Sequence, residues 1–250
     1  MSRIFRSVLI INMILVLFLA GCGKIPSSSK ILPVEAAGLN AAVDNTKKVE
    51  PVYVKPGDDI NEAVNKVQNG GTIVLKSGTY DIKDTVIISE MENVTIKGEG
   101  EVWVNLEGID HHVFTVKNSK SIEFRNIKAQ HVLKDGEDKK GPLEDARNGS
   151  VVGVLDCSKV TFRNCELVGC GIYGLFAQDT NEIEISGCYI HHNSLKALGF
   201  ENLKSVTNVF IEGSRIVNNM DYIEKIGNIN IFDKGDNIIK DNSEKGYNTK

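Results

Sequence analysis

The sequence predicts an all-β solenoid, a stack of short parallel coils around one apolar core. Two observations carry that prediction. Four tetrapeptides share one apolar–polar–apolar–polar alternation: Val-Thr-Ile-Lys (94–97), Ile-Glu-Phe-Arg (122–125), Val-Thr-Phe-Arg (160–163) and Ile-Glu-Ile-Ser (183–186), and Val-Phe-Ile-Glu (209–212) keeps the register. Their starts lie 28, 38, 23 and 26 residues apart. Alternation of period two places one face of a strand inward. A repeat in the twenties marks units that cannot bury that face alone and must stack on one another.

The chain has 250 residues, 41% hydrophobic and 25% charged, a globular balance. Its net charge of −4 argues against a nucleic-acid partner, which calls for a basic stripe. Arg3 and Arg6 precede an apolar run from Val8 to Ala20, broken only by Asn12. The run is short for a membrane span and fits the core of a signal peptide. It ends in Leu19-Ala20-Gly21-Cys22, which resembles the lipobox of bacterial lipoproteins. That resemblance implies removal of residues 1–21, lipid on Cys22, and a lipid-anchored place outside the cytoplasm on a bacterial membrane. Two or three acyl chains hold a protein firmly to a bilayer. Residues 22–50, with Ser27-Ser28-Ser29 and scattered alanines, are expected to form a tether. The solenoid is expected over residues 51–241, with a polar tail over 242–250.

The solenoid opens with a short strand, Val52-Tyr53-Val54, and a turn at Pro56-Gly57. Asp58 or Asp59 then caps a helix with Ile60, Ala63, Val64 and Val67 on one face, stopped by Gly70-Gly71. A helix there would cover the apolar core and strand edge exposed at the end of a stack. Strands follow over residues 72–75 and 85–88.

This opening carries a family resemblance. The runs Val-Lys-Pro-Gly-Asp-Asp-Ile-Asn-Glu-Ala-Val (54–64), Gly-Thr-Ile-Val-Leu (71–75), Gly-Thr-Tyr (78–80) and Val-Thr-Ile-Lys-Gly-Glu-Gly (94–100) resemble the first coils of pectin-lyase-like proteins. The resemblance reaches to about Asn237. It implies a single-stranded right-handed parallel β-helix of about six or seven coils with an N-terminal capping helix. It does not choose an activity, because the superfamily holds lyases, hydrolases, epimerases and non-enzymatic adhesins.

A second apolar pair follows each first strand: Ile127/Ala129, Cys165/Leu167, Cys188/Ile190 and Ser214/Ile216. Cys165 and Cys188 therefore stack inward in adjacent coils, about 4.8 Å apart. Buried free thiols are the favoured reading and an inter-coil disulfide the competing one; the pairing of Cys157 and Cys170 stays open. Third strands are expected over 113–116, 151–155, 172–176, 198–200 and 229–232. Asn193 and Asn219 end second strands at matched positions and are expected to share amide hydrogen bonds. A charged insertion between His131 and Ser150 explains the step of 38. Insertions in a solenoid line its surface.

Enzymes of the resembled superfamily act on polysaccharides in a groove along one sheet. Its lyases hold calcium with carboxylates and use Arg or Lys as base; its glycosidases carry paired Asp, Gly-His-Gly and Arg-x-Lys. None of these motifs occurs in the coils. Lys97, Arg125 and Arg163 form an outward basic column that could meet an anionic glycan, together with His192. Neighbouring Glu123, Glu184 and Glu212 offer the competing reading of surface salt bridges. His131, Asp156 and Arg163 are the candidate catalytic residues, near the insertion. The expected metal site is none, and no cofactor is expected, with calcium entering only for a lyase. The expected function is a membrane-anchored lipoprotein that binds carbohydrate or has a structural surface role. The alternative is a small polysaccharide lyase or glycoside hydrolase.

Overall fold

The structure is a computed structural model, and it describes residues 49–133, 149–169 and 172–247. The signal-peptide and tether expectations, Cys22, Cys170 and most of the insertion lie outside these residues. Among the described residues, seventeen strands, all paired in parallel, wind into a right-handed β-helix of about seven turns.

Three sheets surround one core. In the first sheet, Ile122–Arg125, Lys159–Arg163 and Glu182–Ser186 are central strands. Ile122 pairs with Val160, Val160 with Ile183, and Ile183 with Val209, so the repeats stack in the register that the alternation predicts. The second sheet holds Lys128–Val132, Glu166–Val168, Tyr189–His191 and Arg215–Val217. The third holds Phe114–Lys117, Val152–Leu155 and Tyr173–Gln178. Longer strands such as Lys196–Glu212 and Ile223–Asp233 pass from the third sheet into the first.

The corners are sharp, and the residues that make them follow from backbone sterics. Between first and second sheets a single left-handed residue turns the chain: Asn126 (φ 55°), Asn164 (φ 52°) and Gly187 (φ 61°). Asn and Gly tolerate this conformation best. Side chains inside stack rung on rung. The rings of Phe124 and Phe162 lie 5.3 Å apart and nearly parallel, with Phe114 edge-on to Phe124 at 5.2 Å.

The helix Ile60–Lys66 covers the N-terminal end. Asp59 is its cap, accepting the Asn61 N–H at 2.8 Å. Ile60, Ala63, Val64 and Val67 are all buried. The helix stops at Lys66, before Gly70-Gly71, because Val67 is already extended (φ −70°, ψ 139°). At the other end, Ile226, Phe232, Ile238 and Ile239 remain exposed.

Two expectations are corrected. Residues 229–232 pair with 207–210 in the first sheet, not the third; residues 223–227 supply the third-sheet rung. Gly227 (φ 85°) makes the corner between the two segments. Asn242 belongs to the solenoid, and a short helix, Glu244–Tyr247, follows it.

Candidate functional site

The first sheet presents Lys97, Arg125 and Arg163 in one outward column, as expected. Arg125 Nη2 reaches both oxygens of Glu123 at 2.8 Å. Arg163 is held between Glu123 (2.9 Å) and Glu184 (3.3 Å). Lys159 meets Glu182 and Glu184 at 2.6 Å each. Farther along the same face, an open groove of about 530 Å³ is lined by Arg163, Glu184, Phe210, Glu212 and Lys234. Phe210, in its lining, stacks on Phe232 at 4.9 Å, and Lys234 Nζ already sits 4.9 Å above the Phe210 ring. This face therefore neutralises most of its own charge.

The three catalytic candidates do not meet. Arg163 ends a first-sheet strand, His131 is the penultimate residue of a second-sheet strand, and Asp156 follows a third-sheet strand, so they lie at three different places around the coil. His131 pairs with Leu106, an inward position, and is only 2% exposed. Its Nε2–H donates to the His111 carbonyl at 2.8 Å, while Nδ1 is buried with no partner. Burial pulls its pKa down to about 4. Asp156 is a left-handed turn residue (φ 51°) whose carboxylate meets Lys204 at 2.9 Å. Lys204 also meets Asp179 at 2.8 Å, and these contacts raise its pKa. His192 follows the second-sheet strand Tyr189–His191.

The third-sheet face gathers groups that the sequence reading did not single out. One outward column runs Ile87, Thr115, Gly153, Phe176, Gly199, Glu224. Its two glycines are seats for rings from other positions. A Cβ on Gly153 would lie 2.5 Å from the His112 ring, and one on Gly199 would lie 2.7 Å from the Tyr173 ring. Glycine inside a strand marks such close approach. Tyr173 and Phe176 stack at 5.5 Å. The Tyr173 hydroxyl makes a short hydrogen bond to Glu224, and Lys196 pairs with Asp221 at 2.7 Å. Burial first, then Glu224, raises the Tyr173 phenol, so it stays protonated.

His112 closes one end of this face. Its Nδ1 accepts the Ser150 N–H at 2.8 Å, so a neutral ring carries its hydrogen on Nε2. Burial lowers its pKa and favours that neutral form. Gly149 donates its N–H to the Ile109 carbonyl at 2.6 Å.

Among the described residues, no three His, Cys, Asp or Glu side chains converge on a metal position, and no helix is long and apolar enough to cross a membrane. By structure the chain is similar to pectate lyase Pel9A, with a TM-score of 0.42 and 16% identity over 66% of this chain and 53% of that one. It is also similar to the PL6 family alginate lyase AlyGC, with a TM-score of 0.36 and 10% identity over 76% of this chain and 39% of that one. The chain therefore spans about half the length of the first and two fifths of the second. No curated protein matches the sequence. The family described as "Right handed beta helix region" matches residues 111–246, more than half of the chain and most of its stacked coils, and the protein belongs to that family.

Proposed function

We propose that the protein is a membrane-anchored extracytoplasmic lipoprotein whose β-helix binds carbohydrate along its third-sheet face without catalysing a reaction. The observation that carries the binding is the ring platform: Tyr173 and Phe176, seated on Gly199, with Glu224, Lys196 and Asp221 beside them. Flat aromatic surface flanked by a few polar groups suits a sugar ring, which has apolar C–H faces and an equatorial rim of hydroxyls. The first-sheet groove suits it less, because Lys234 already covers its rings and Arg163 is already paired. His112 supports binding over base chemistry, since its Nδ1 lone pair is taken by Ser150 and Nε2–H can only donate. The anchor rests on Leu19-Ala20-Gly21-Cys22 behind an apolar run.

A second reading, a small polysaccharide lyase or glycoside hydrolase, is favoured by one feature. Tyr173 and Glu224 form a hydrogen-bonded phenol–carboxylate pair on the same face. The calcium such a lyase would use does not fit the described residues, which hold no converging carboxylate cluster.

One experiment separates the readings. The full-length protein in detergent is offered uronate-rich and neutral polysaccharides, with and without calcium, while binding and new reducing or unsaturated ends are followed. Binding without product, weakened at least about tenfold in Tyr173→Ala and unchanged in Phe210→Ala, is the expected result. New ends that vanish in Glu224→Gln would make the protein an enzyme. The anchor is read separately, by the mass of the mature N-terminal peptide; an unmodified Cys22 would overturn it.

A further inference from the structure

The second sheet carries a feature that the carbohydrate reading does not use. His191 ends the strand Tyr189–His191, and His192 follows in the left-handed conformation (φ 56°). Their Nδ1 atoms lie 2.7 Å apart, with the ring planes at 83°. The other nitrogen of His191, Nε2, meets Glu166 Oε1 at 3.1 Å from the neighbouring rung. Tyr189 stacks against the His191 ring at 3.8 Å.

The proton positions follow from these contacts. A carboxylate only accepts, so His191 carries its hydrogen on Nε2. The neutral ring then has a bare lone pair on Nδ1, and the contact to His192 is made by the His192 Nδ1–H. Two imidazole nitrogens so converge on one shared proton, with a carboxylate behind one of them. That is the arrangement of a metal-ligating histidine oriented by a second-shell carboxylate.

We propose that His191 and His192 form a copper site, in which a Cu(I) ion takes the place of the shared proton. Binding moves the His192 hydrogen from Nδ1 to Nε2 through solvent, forms two copper–nitrogen bonds and changes no oxidation state. The donor set points to this ion. Imidazole suits copper, zinc, iron and nickel rather than calcium or magnesium. Two protein ligands suffice for Cu(I), which accepts two-coordination, whereas zinc sites call for four. The local charge agrees. Lys128 lies 3.5 Å from Glu166, and the Arg215 guanidinium lies 5.3 Å from the Tyr189 ring centre. A monovalent ion is repelled less by these two cations than a divalent one. Admitting the ion requires the 2.7 Å contact to widen.

The test uses the full-length protein in detergent, anaerobically, with Cu(I) titrated against a chromophoric chelator. Cysteines also bind Cu(I), so the quantity read is a difference between variants. The wild type should hold one more equivalent than either His191→Ala or His192→Ala. Glu166→Gln should keep that equivalent and weaken it about 10- to 100-fold. X-ray absorption of the loaded wild type should show nitrogen neighbours that the histidine variants lack. Equal copper content in all three proteins, or sulfur neighbours alone, would overturn the site. Tighter binding of Zn(II) than of Cu(I) at these residues would overturn its assignment to copper.

Discussion

The side-chain amide of Asn193 donates to Oδ1 of Asn219 at 2.8 Å, and Asn219 donates in turn to Asn242 at 2.8 Å. Each acceptor oxygen also takes a backbone N–H from the preceding rung, Asn193 at 3.1 Å and Asn219 at 3.2 Å. Asn193 and Asn219 are fully buried, so water cannot replace a lost partner. Asn219→Ala strands several buried groups, each costing about 1–3 kcal/mol. The expected loss of stability is about 3 kcal/mol by urea denaturation. Asn230→Ala removes an exposed amide bond to Asn208 (3.1 Å) and should change stability by less than about 0.5 kcal/mol. Equal effects would show that the ladder does not carry stability.

His131 makes stability depend on pH. Its pKa falls from 6.5 to about 4 on folding because the buried site disfavours the charged ring. Between those values the unfolded chain binds the proton and the native protein does not. Stability is therefore fully present above about pH 6.5 and declines toward pH 4, by up to about 1.4 kcal/mol per pH unit and about 3 kcal/mol in all. Burial also lowers the pKa of His112 and His191, which adds slope of the same sign. His131→Gln can keep the donor to the His111 carbonyl without titrating. The variant should show a shallower fall in unfolding free energy over this range; an unchanged slope would place the pH dependence elsewhere.

Rung register was legible in the sequence because period-two alternation allows few alternatives. It placed Lys97 over Arg125 and Arg163, Cys165 beside Cys188, and Asn193 beside Asn219. The burial of His131 followed from the same rule, since Ala129 faces inward and so must the residue two positions on; the chemistry of histidine drew attention the other way. The third-sheet platform was half legible. Gly153 and Gly199 are glycines inside strands, a sign of close approach, but that His112 and Tyr173 fill those seats depends on corners the pattern does not describe. The contact between His191 and His192 depends on side-chain rotamers and on Glu166 one coil away, so no spacing rule reveals it.

The glycine seats give a test of the platform that leaves its rings in place. A methyl group at Gly199 would meet the Tyr173 ring at 2.7 Å and Phe176 at 3.1 Å, so both rings must tilt. At Gly153 it would strike the His112 ring at 2.5 Å. Overpacking of this kind costs about 1–3 kcal/mol. Gly199→Ala should remain folded, with altered near-ultraviolet circular dichroism from Tyr173, and should bind glycan at least about tenfold more weakly. Wild-type binding with a shifted tyrosine signal would remove the platform from recognition.

Cys165 and Cys188 test the core itself. They occupy successive second-sheet rungs, are 3% and 2% exposed, and are both free thiols. The Cys165 Sγ–H lies 3.5 Å from the Arg163 carbonyl, and the Cys188 Sγ–H lies 3.5 Å from that of Phe162. The hydrogen bond with Cys188, and then burial, push the Cys165 thiol well above the ordinary range, while the same hydrogen bond lowers Cys188, so protection of the pair rests on the burial of both sulfurs. Native protein at neutral pH should therefore resist alkylation at both positions. In urea without reductant, both peptides should be alkylated to completion. A disulfide-linked pair of peptides from these positions would instead mean that oxidation clamps the two coils together.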